Sequence, residues 1–452
     1  MKKNKSRSSD IVNMTEGNPV GLLIRFSIPM LVGNLFQQVY NLADSVIVGR
    51  LVSANALAAI GASSSVTFLF FALCNGIGTG GGIITSQHFG SGDDGKVKKC
   101  ISNTAYIMLI YPLMVGILAF IFSRPLLVIL KTPDAIMDDS LIYIRIMCVG
   151  TVFVSFYNYI SSMLRALGDS RTPLYFLVSA CLINVVLDLF FVYVMKLSVA
   201  GAGIATVISQ FLAGAGCIIY AMLKNPYFRL GTEDLKVDRK ITLSVIRLGI
   251  PLSLQFSLIA VSCMALQAVV NTFGAVAVAA FTATSRIEQL LHQPYQTLST
   301  ALSTYTGQNY GARKHRRIIE GYHKSLIMMV IFSLAMLPFM WFLGKAMVRL
   351  FVEDAEVISM GAIALQISSL FYSFLGLIYV VRGVQNGLGD AFFSFLNGIV
   401  EIIGRFSVPV IMTSIPAIGV WGIWWSVGVV WFISGFTAWL RYLYCRKKIL
   451  ND

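Results

Sequence analysis

Apolar residues fall into long, almost unbroken runs separated by short polar segments. Twelve of these runs reach the roughly 20 residues a helix needs to cross a bilayer, centred near residues 37, 70, 112, 152, 185, 212, 260, 290, 335, 369, 402 and 431. The strands of a membrane barrel would instead alternate apolar and polar positions in short segments. The pattern therefore predicts an all-α polytopic membrane protein of twelve transmembrane helices.

In the amino-terminal half, two of the runs are broken by a carboxylate. Asp44 lies in NLADSVIVG and Asp188 in INVVLDLFFVYV, with Asn184 one helical turn before Asp188 and on the same face. An ionisable group held in hydrocarbon is costly and marks an ion or substrate pathway by default. At about 1.5 Å per residue, Asp44 lies roughly 9 Å from the helix end near Arg50 and Asp188 roughly 12 Å from the end near Lys196. The two are expected to meet in the outer half of one lobe. There such a pair can take up a proton or hold a small cation with help from amide and carbonyl oxygens.

Composition agrees with a membrane chain: 56% of residues are hydrophobic and 12% charged, with mean hydropathy +0.75. A net charge of +14 would suggest nucleic acid in a soluble protein, but its placement along the loops gives a better account. With a cytoplasmic amino terminus, the inner segments hold Lys2, Lys3, Lys5 and Arg7, then Lys96, Lys98 and Lys99, Arg165 and Arg171, and Lys224 to Lys240. They continue with Arg313 to Lys324, Arg382, and Arg441 to Lys448, whereas the outer loops keep Arg50, Arg124, Lys131, Lys196, Lys345 and Arg349. This asymmetry predicts a multi-pass plasma-membrane protein with both termini in the cytoplasm and no nucleic-acid partner. The first twenty residues lack a cleavable signal pattern. The seven cysteines are scattered without CxxC spacing and read as small core residues.

The chain also repeats itself. A shift of 221 residues carries Gln87 and Gly90 onto Gln308 and Gly311, and Leu167, Gly168 and Asp169 onto Leu388, Gly389 and Asp390; a shift of 222 carries IRFSIP, ending at Pro29, onto IRLGIP, ending at Pro251. Two parallel six-helix lobes follow, residues 1–223 and 241–452, joined by a cytoplasmic linker at 224–240. This design favours a substrate cavity between lobes with alternating access. Under the repeat, Asp44 falls opposite Ala265 or Leu266, Asn184 opposite Arg405 and Asp188 opposite Pro409, so the acid and amide cluster belongs to the amino lobe alone.

IPMLVGNLFQQVYNLADSVIVG in the first helix, the RALGD turn, NVVLD in the fifth helix, VAGAGIATVISQ entering the sixth and the second NGLGD turn, in this order, resemble the multidrug and toxic compound extrusion (MATE) transporters over essentially the whole chain. The resemblance implies cation-coupled efflux of bulky, often cationic organic compounds; a monomer without a cofactor is expected. In one branch of that family the coupling site matches Asp44, Asn184 and Asp188, with Asn158 of the fourth helix as a further contributor. The essential carboxylates of the other branch, on helices 7 and 10, are missing here: helix 7 offers Gln255 and Gln267, and helix 10 offers Gln366. The coupling ion is left as H⁺ or Na⁺, and Na⁺ at Asp44, Asn184 and Asp188 is the one metal expected. A lipid-linked precursor flippase of the same fold group is the alternative. An enzyme is disfavoured because no nucleophile–base pair or metal-ligand cluster stands at usable spacing.

Gln37 and Tyr40 on the first helix, with Arg286, Glu288, Gln293, Glu401 and Arg405, are candidates for the wall of a substrate cavity. Glu401 and Arg405 are spaced to pair along one helix, and Arg145 is expected to partner an acid in its own lobe. His292, Gln293 and Pro294 interrupt the eighth helix with polar groups and a kink. CNGIGTGGG contains GxGxxG at Gly76, Gly78 and Gly81, but no strand precedes it, so close helix packing is expected rather than nucleotide binding. No Walker lysine motif is present.

Overall fold

The computed structural model of the chain describes residues 11–130 and 132–451. Among them every regular element is helical. The helices are α1 (Pro19–Leu51), α2 (Ala54–Ser91), α3 (Asp94–Ile129), α4 (Asp134–Ala166), α5 (Arg171–Asp188), α6 (Ser198–Lys224) and α7 (Arg239–Val270). They continue with α8 (Gly274–Gly311), α9 (His315–Arg349), α10 (Ala355–Ser369), α11 (Tyr372–Leu388), α12 (Ala391–Thr413) and α13 (Gly422–Asn451). The basic residues Lys2, Lys3, Lys5, Arg7 and Lys131 lie outside the described residues.

Ten segments are long and apolar enough to cross a membrane, and the pair α10–α11, bent by 51°, adds an eleventh. One of the ten, Arg239–Gly311, runs for 73 residues, which as one rod would measure roughly 110 Å against about 30 Å of hydrocarbon. It is two helices, α7 and α8, parted by a 3-10 turn at Asn271–Phe273 and by Gly274 at φ 84°. The twelve expected spans are therefore all present, with α12 as the eleventh and α13 as the twelfth.

The internal repeat is visible in the backbone. Gly168 and Gly389, the glycines of the two LGD turns, hold φ of 87° and 86°, a region only glycine enters without strain. The aspartates that follow have diverged. Asp169 Oδ1 accepts from the Arg171 and Thr172 N–H groups at 3.0 Å and starts α5, whereas Asp390 Oδ2 meets the Arg441 guanidinium at 2.9 Å. Pro29 and Pro251 likewise both stand inside a long helix.

By contacts the chain forms two compact units, one made of the residues up to Met14 with Ile28–Phe256, the other of Thr15–Ser27 with Ser257–Asp452. The units change over inside α1 and α7, and not at the linker expected at 224–240. The reason is local. Tyr227 and Phe228 are buried in the core that Ile101, Met108, Tyr159 and Met163 build. Tyr227 donates to Asp94 Oδ1 at 2.8 Å, and Asn103 Oδ1 accepts from Asp238 N–H at 2.9 Å and from Thr242 Oγ1 at 3.0 Å. The linker is thus bound to α3, and the start of α7 follows it. The glycine stripe of α2 seals this arrangement. A Cβ on Gly76 would overlap the backbone and hydroxyl of Ser253, one on Gly80 would stand 2.8 Å from Gly249 N, and one on Gly81 would overlap Thr104. As expected, Gly76 and Gly81 of the GxGxxG stretch serve close packing, whereas Gly78 meets Met108 at an ordinary 3.5 Å.

Candidate functional site

Gln37, Tyr40 and Asp44 follow one another at i, i+3 and i+7 on α1 and share a face. On α5 the corresponding face carries Cys181, Asn184 and Asp188. Immediately after Asp188 the helix widens, and residues Leu189–Val194 form a π-helical segment in which Met195 N–H reaches back five residues to Phe190 O at 3.0 Å. Asp188 therefore sits where the helical pitch changes, a distortion frequent at functional sites.

The two carboxyls meet: Asp44 and Asp188 lie within hydrogen-bonding contact of each other. Such a contact is a hydrogen bond only while one of the pair carries a proton. Asp188 and Asn184 are almost fully buried, and Oδ1 of each aspartate is buried with no hydrogen-bond partner. With its amide oriented to satisfy both neighbours, Asn184 donates to Asp188 Oδ2 at 2.9 Å and accepts from Thr206 N–H at 3.2 Å. The Tyr40 hydroxyl reaches Thr206, and the Tyr40 ring packs beside Tyr157, Leu177 and Cys181. Tyr143 of α4 is buried near both carboxyls. None of the ion pairs among the described residues involves Asp44 or Asp188. Inside one unit, then, two acidic groups stand together with no cationic side chain to balance them. That arrangement can bind one proton or a small cation through carboxylate, amide and hydroxyl oxygens.

The expected trio is thus brought together, along with Tyr40 from the cavity set. Gln37 is half-buried one turn earlier on α1. Asn158 is half-buried on α4 but is not a partner of either carboxyl. Sequence reasoning missed Thr206 and Tyr143. The only signal for Thr206 was its place among the small residues of VAGAGIATVISQ, a stretch that marks helix contact without saying what faces it.

The carboxy lobe corrects two expectations. Glu401 does not pair with Arg405 along α12; it pairs with Arg382 of α11 at 2.6 Å, both side chains under 10% exposed. Arg382, counted above with the cytoplasmic loop charges, sits inside the lobe because its planar fork finds two acceptors at once: Asn397 Oδ1 at 2.7 Å and Glu401 Oε1. Ser434 completes the set by donating to Glu401 at 3.2 Å. Arg405 turns instead to Ser262 Oγ at 3.2 Å and Cys263 Sγ at 3.1 Å on α7. Nearby, Glu288 Oε1, His292 Nε2 and Arg405 Nε are buried without partners, and His292 meets the Trp431 ring edge-on at 5.8 Å. Gln293 is buried and donates to Gln289 O at 3.3 Å. Arg286 is exposed, two residues from Glu288 and hence on the opposite side of the helix. α8 runs on through Pro294.

Arg145 gives a third correction. It pairs with no acid among the described residues, and its guanidinium lies over the Phe120 ring, 5.2 Å from the centroid.

The family profile described as MatE matches residues 29–190 and 251–415, one copy in each half of the chain. The probable multidrug resistance protein YpnP of Bacillus subtilis (strain 168) is 29% identical over 442 residues, covering 97% of this chain and 98% of that one. The multidrug export protein MepA of Staphylococcus haemolyticus (strain JCSC1435) is 23% identical over 435 residues, covering 95% and 94%. Among solved structures, the outward-facing conformation of a multidrug resistance MATE family transporter of the MOP superfamily superposes with a TM-score of 0.92 at 22% identity, covering 98% and 99% of the two chains. The twofold repeat, the twelve spans and the profile that recurs in both halves agree, and the chain belongs to the multidrug and toxic compound extrusion (MATE) family of membrane transporters.

Proposed function

We propose that this protein is an antiporter that exports organic cations in exchange for an inward flow of H⁺ or Na⁺, and that Asp44, Asp188 and Asn184 bind the coupling ion. The observation that carries the reading is the contact between two carboxyls with unpartnered oxygens and no neighbouring cation. Taking up an ion relieves the repulsion between them. Exchange then requires only that ion and substrate favour different conformations, a coupling of about 1–3 kcal/mol.

Arg382 is committed to Glu401, leaving Asp44, Asp188 and Glu288 against Arg145, Arg286 and Arg405, an even balance in which the acids Asp44 and Asp188 stand together without a cationic partner. A flippase for a lipid-linked pyrophosphate, the alternative, would need an excess of free cationic groups, which an even balance does not supply. The names of the relatives, multidrug resistance and multidrug export, point the same way. In this reading the protein works by alternating access as a monomer in the plasma membrane, without a cofactor, with both termini cytoplasmic as the loop charges favour.

The test is efflux of a fluorescent organic cation from proteoliposomes under proton and sodium gradients imposed separately. Acceleration by one or both gradients supports the reading. Efflux indifferent to both contradicts it.

A further inference from the structure

Beneath Arg145 and Phe120 lies a cavity of about 360 Å³ whose walls include Val149 of α4 and Ile204, Val207 and Ile208 of α6. Its lining is almost wholly apolar, and Arg145 is the one charged residue among those that line it. The cavity opens on an apolar surface: Val149 is 63% exposed, Phe120 43%, and Ile117 and Ile121 beside it on α3 are 52% and 62%. In a membrane transporter such a surface is covered by acyl chains.

The height of the arginine matters. Phe120 stands nine residues before the end of α3 and Arg145 eleven after the start of α4, roughly 14 and 16 Å from the end the two helices share. Helices of 36 and 33 residues are about 50 Å long, so about 10 Å of each end stands beyond a 30 Å hydrocarbon layer. A helical side chain leans toward its helix N-terminus, which brings the guanidinium of Arg145 to the level of the Phe120 ring, 5.2 Å from its centroid. It therefore stands about one helical turn inside the hydrocarbon boundary, where an arginine draws a lipid phosphate toward itself by local thinning of the bilayer. Resting on the Phe120 ring also leaves its donor edge free.

We propose that this groove binds one anionic phospholipid from the leaflet at the α3–α4 end, with its phosphate on Arg145 and one acyl chain along Val149, Ile204, Val207 and Ile208. Charge selects the ligand. A guanidinium without a carboxylate partner gains a counter-charge from phosphatidylglycerol, and its fork matches a phosphate in two-bond geometry. Phosphatidylcholine brings its own cation and leaves Arg145 uncompensated.

The experiment is native mass spectrometry of the full-length protein released from nanodiscs that hold phosphatidylglycerol and phosphatidylcholine with identical chains. Wild type should retain one phosphatidylglycerol with about a fivefold preference, the scale of one basic residue near an anionic surface. Arg145→Gln should bring the two lipids to parity, and Arg145→Lys should keep part of the preference. Val149→Trp, which fills the groove and leaves the charge, should lose the bound lipid altogether. Parity in wild type, or a preference unchanged in Arg145→Gln, overturns the proposal. Displacement of the lipid by chain-free glycerol phosphate also overturns it, since that describes a free-anion site. If Arg145→Gln fails to fold, the lysine and tryptophan variants decide the same question.

Discussion

Glu401 forms its ion pair with Arg382, on the neighbouring helix, at 2.6 Å, and leaves Arg405, one turn along its own helix, to a serine and a cysteine. The pair is buried and fully hydrogen-bonded, with Asn397 and Ser434 filling the remaining positions. A charge so completely neutralised cannot also be free to bind a transported cation, which separates Glu401 from the unbalanced carboxyls of the amino lobe.

Glu401→Gln should therefore act on stability and not on coupling. Breaking a buried pair from one side costs about 3–5 kcal/mol, and the lower end is expected because Asn397 still accepts from Arg382. Thermal unfolding in detergent should show the loss, and the double variant Glu401→Gln with Arg382→Gln should recover part of it. Ion-driven efflux per folded molecule should stay near wild type. A folded Glu401→Gln protein that no longer couples would move ion binding to the carboxy lobe.

Asn184 positions Asp188 through a charge-assisted hydrogen bond. Such a bond contributes about 1.5–3 kcal/mol, so Asn184→Leu should raise the half-saturating concentration of the coupling ion by roughly 10- to 150-fold. Asn184→Ser should restore part of the affinity. An ion dependence identical to wild type would remove Asn184 from the site.

The close contact of α2 with α7 makes an opposite pair of glycine substitutions. Gly76→Ala places a methyl onto the backbone of Ser253, whereas Gly61→Ala, on the same helix, meets nothing within 4 Å. Overpacking costs about 1–3 kcal/mol, and replacing an unconstrained helical glycine is worth about 0.5–1 kcal/mol in the other direction. Melting temperatures should fall for the first and hold or rise for the second. Equal effects would mean that α2 and α7 do not pack through Gly76.

These outcomes also mark what could be read from the chain. Asp44, Asn184 and Asp188 were legible because a carboxylate inside an apolar run is rare and the i, i+4 spacing fixes the face. Thr206 was not. Its hydroxyl bonds its own helix at Ala202 O, 3.0 Å away, as threonines do in many helices, and only the tertiary fold brings it to Asn184. Arg382 was misread as a loop charge because it lies near a helix end and its partner stands on another helix. The 51° bend between α10 and α11 falls at SSLF, with no glycine or proline to announce it. The widening after Asp188 occurs in a run of apolar residues that could continue any helix.

Topology can be tested apart from mechanism. In a cysteine-free background, Thr232→Cys on the linker should resist an impermeant thiol reagent in intact cells and react after permeabilisation. Glu353→Cys, exposed between α9 and α10, should react in both. Reaction of Thr232→Cys in intact cells would invert the orientation drawn from the loop charges.

The central claim is that the Asp44–Asp188 pair binds the ion whose entry drives export. Its most direct measurement is gradient-driven efflux by Asp44→Asn and Asp188→Asn reconstituted at equal folded amounts, together with downhill exchange of the same organic cation without a gradient. Each variant should lose acceleration by the ion gradient while still exchanging substrate, because each removes a charge that holds the ion and leaves the fold in place. Full gradient-driven efflux by both single variants would contradict the account.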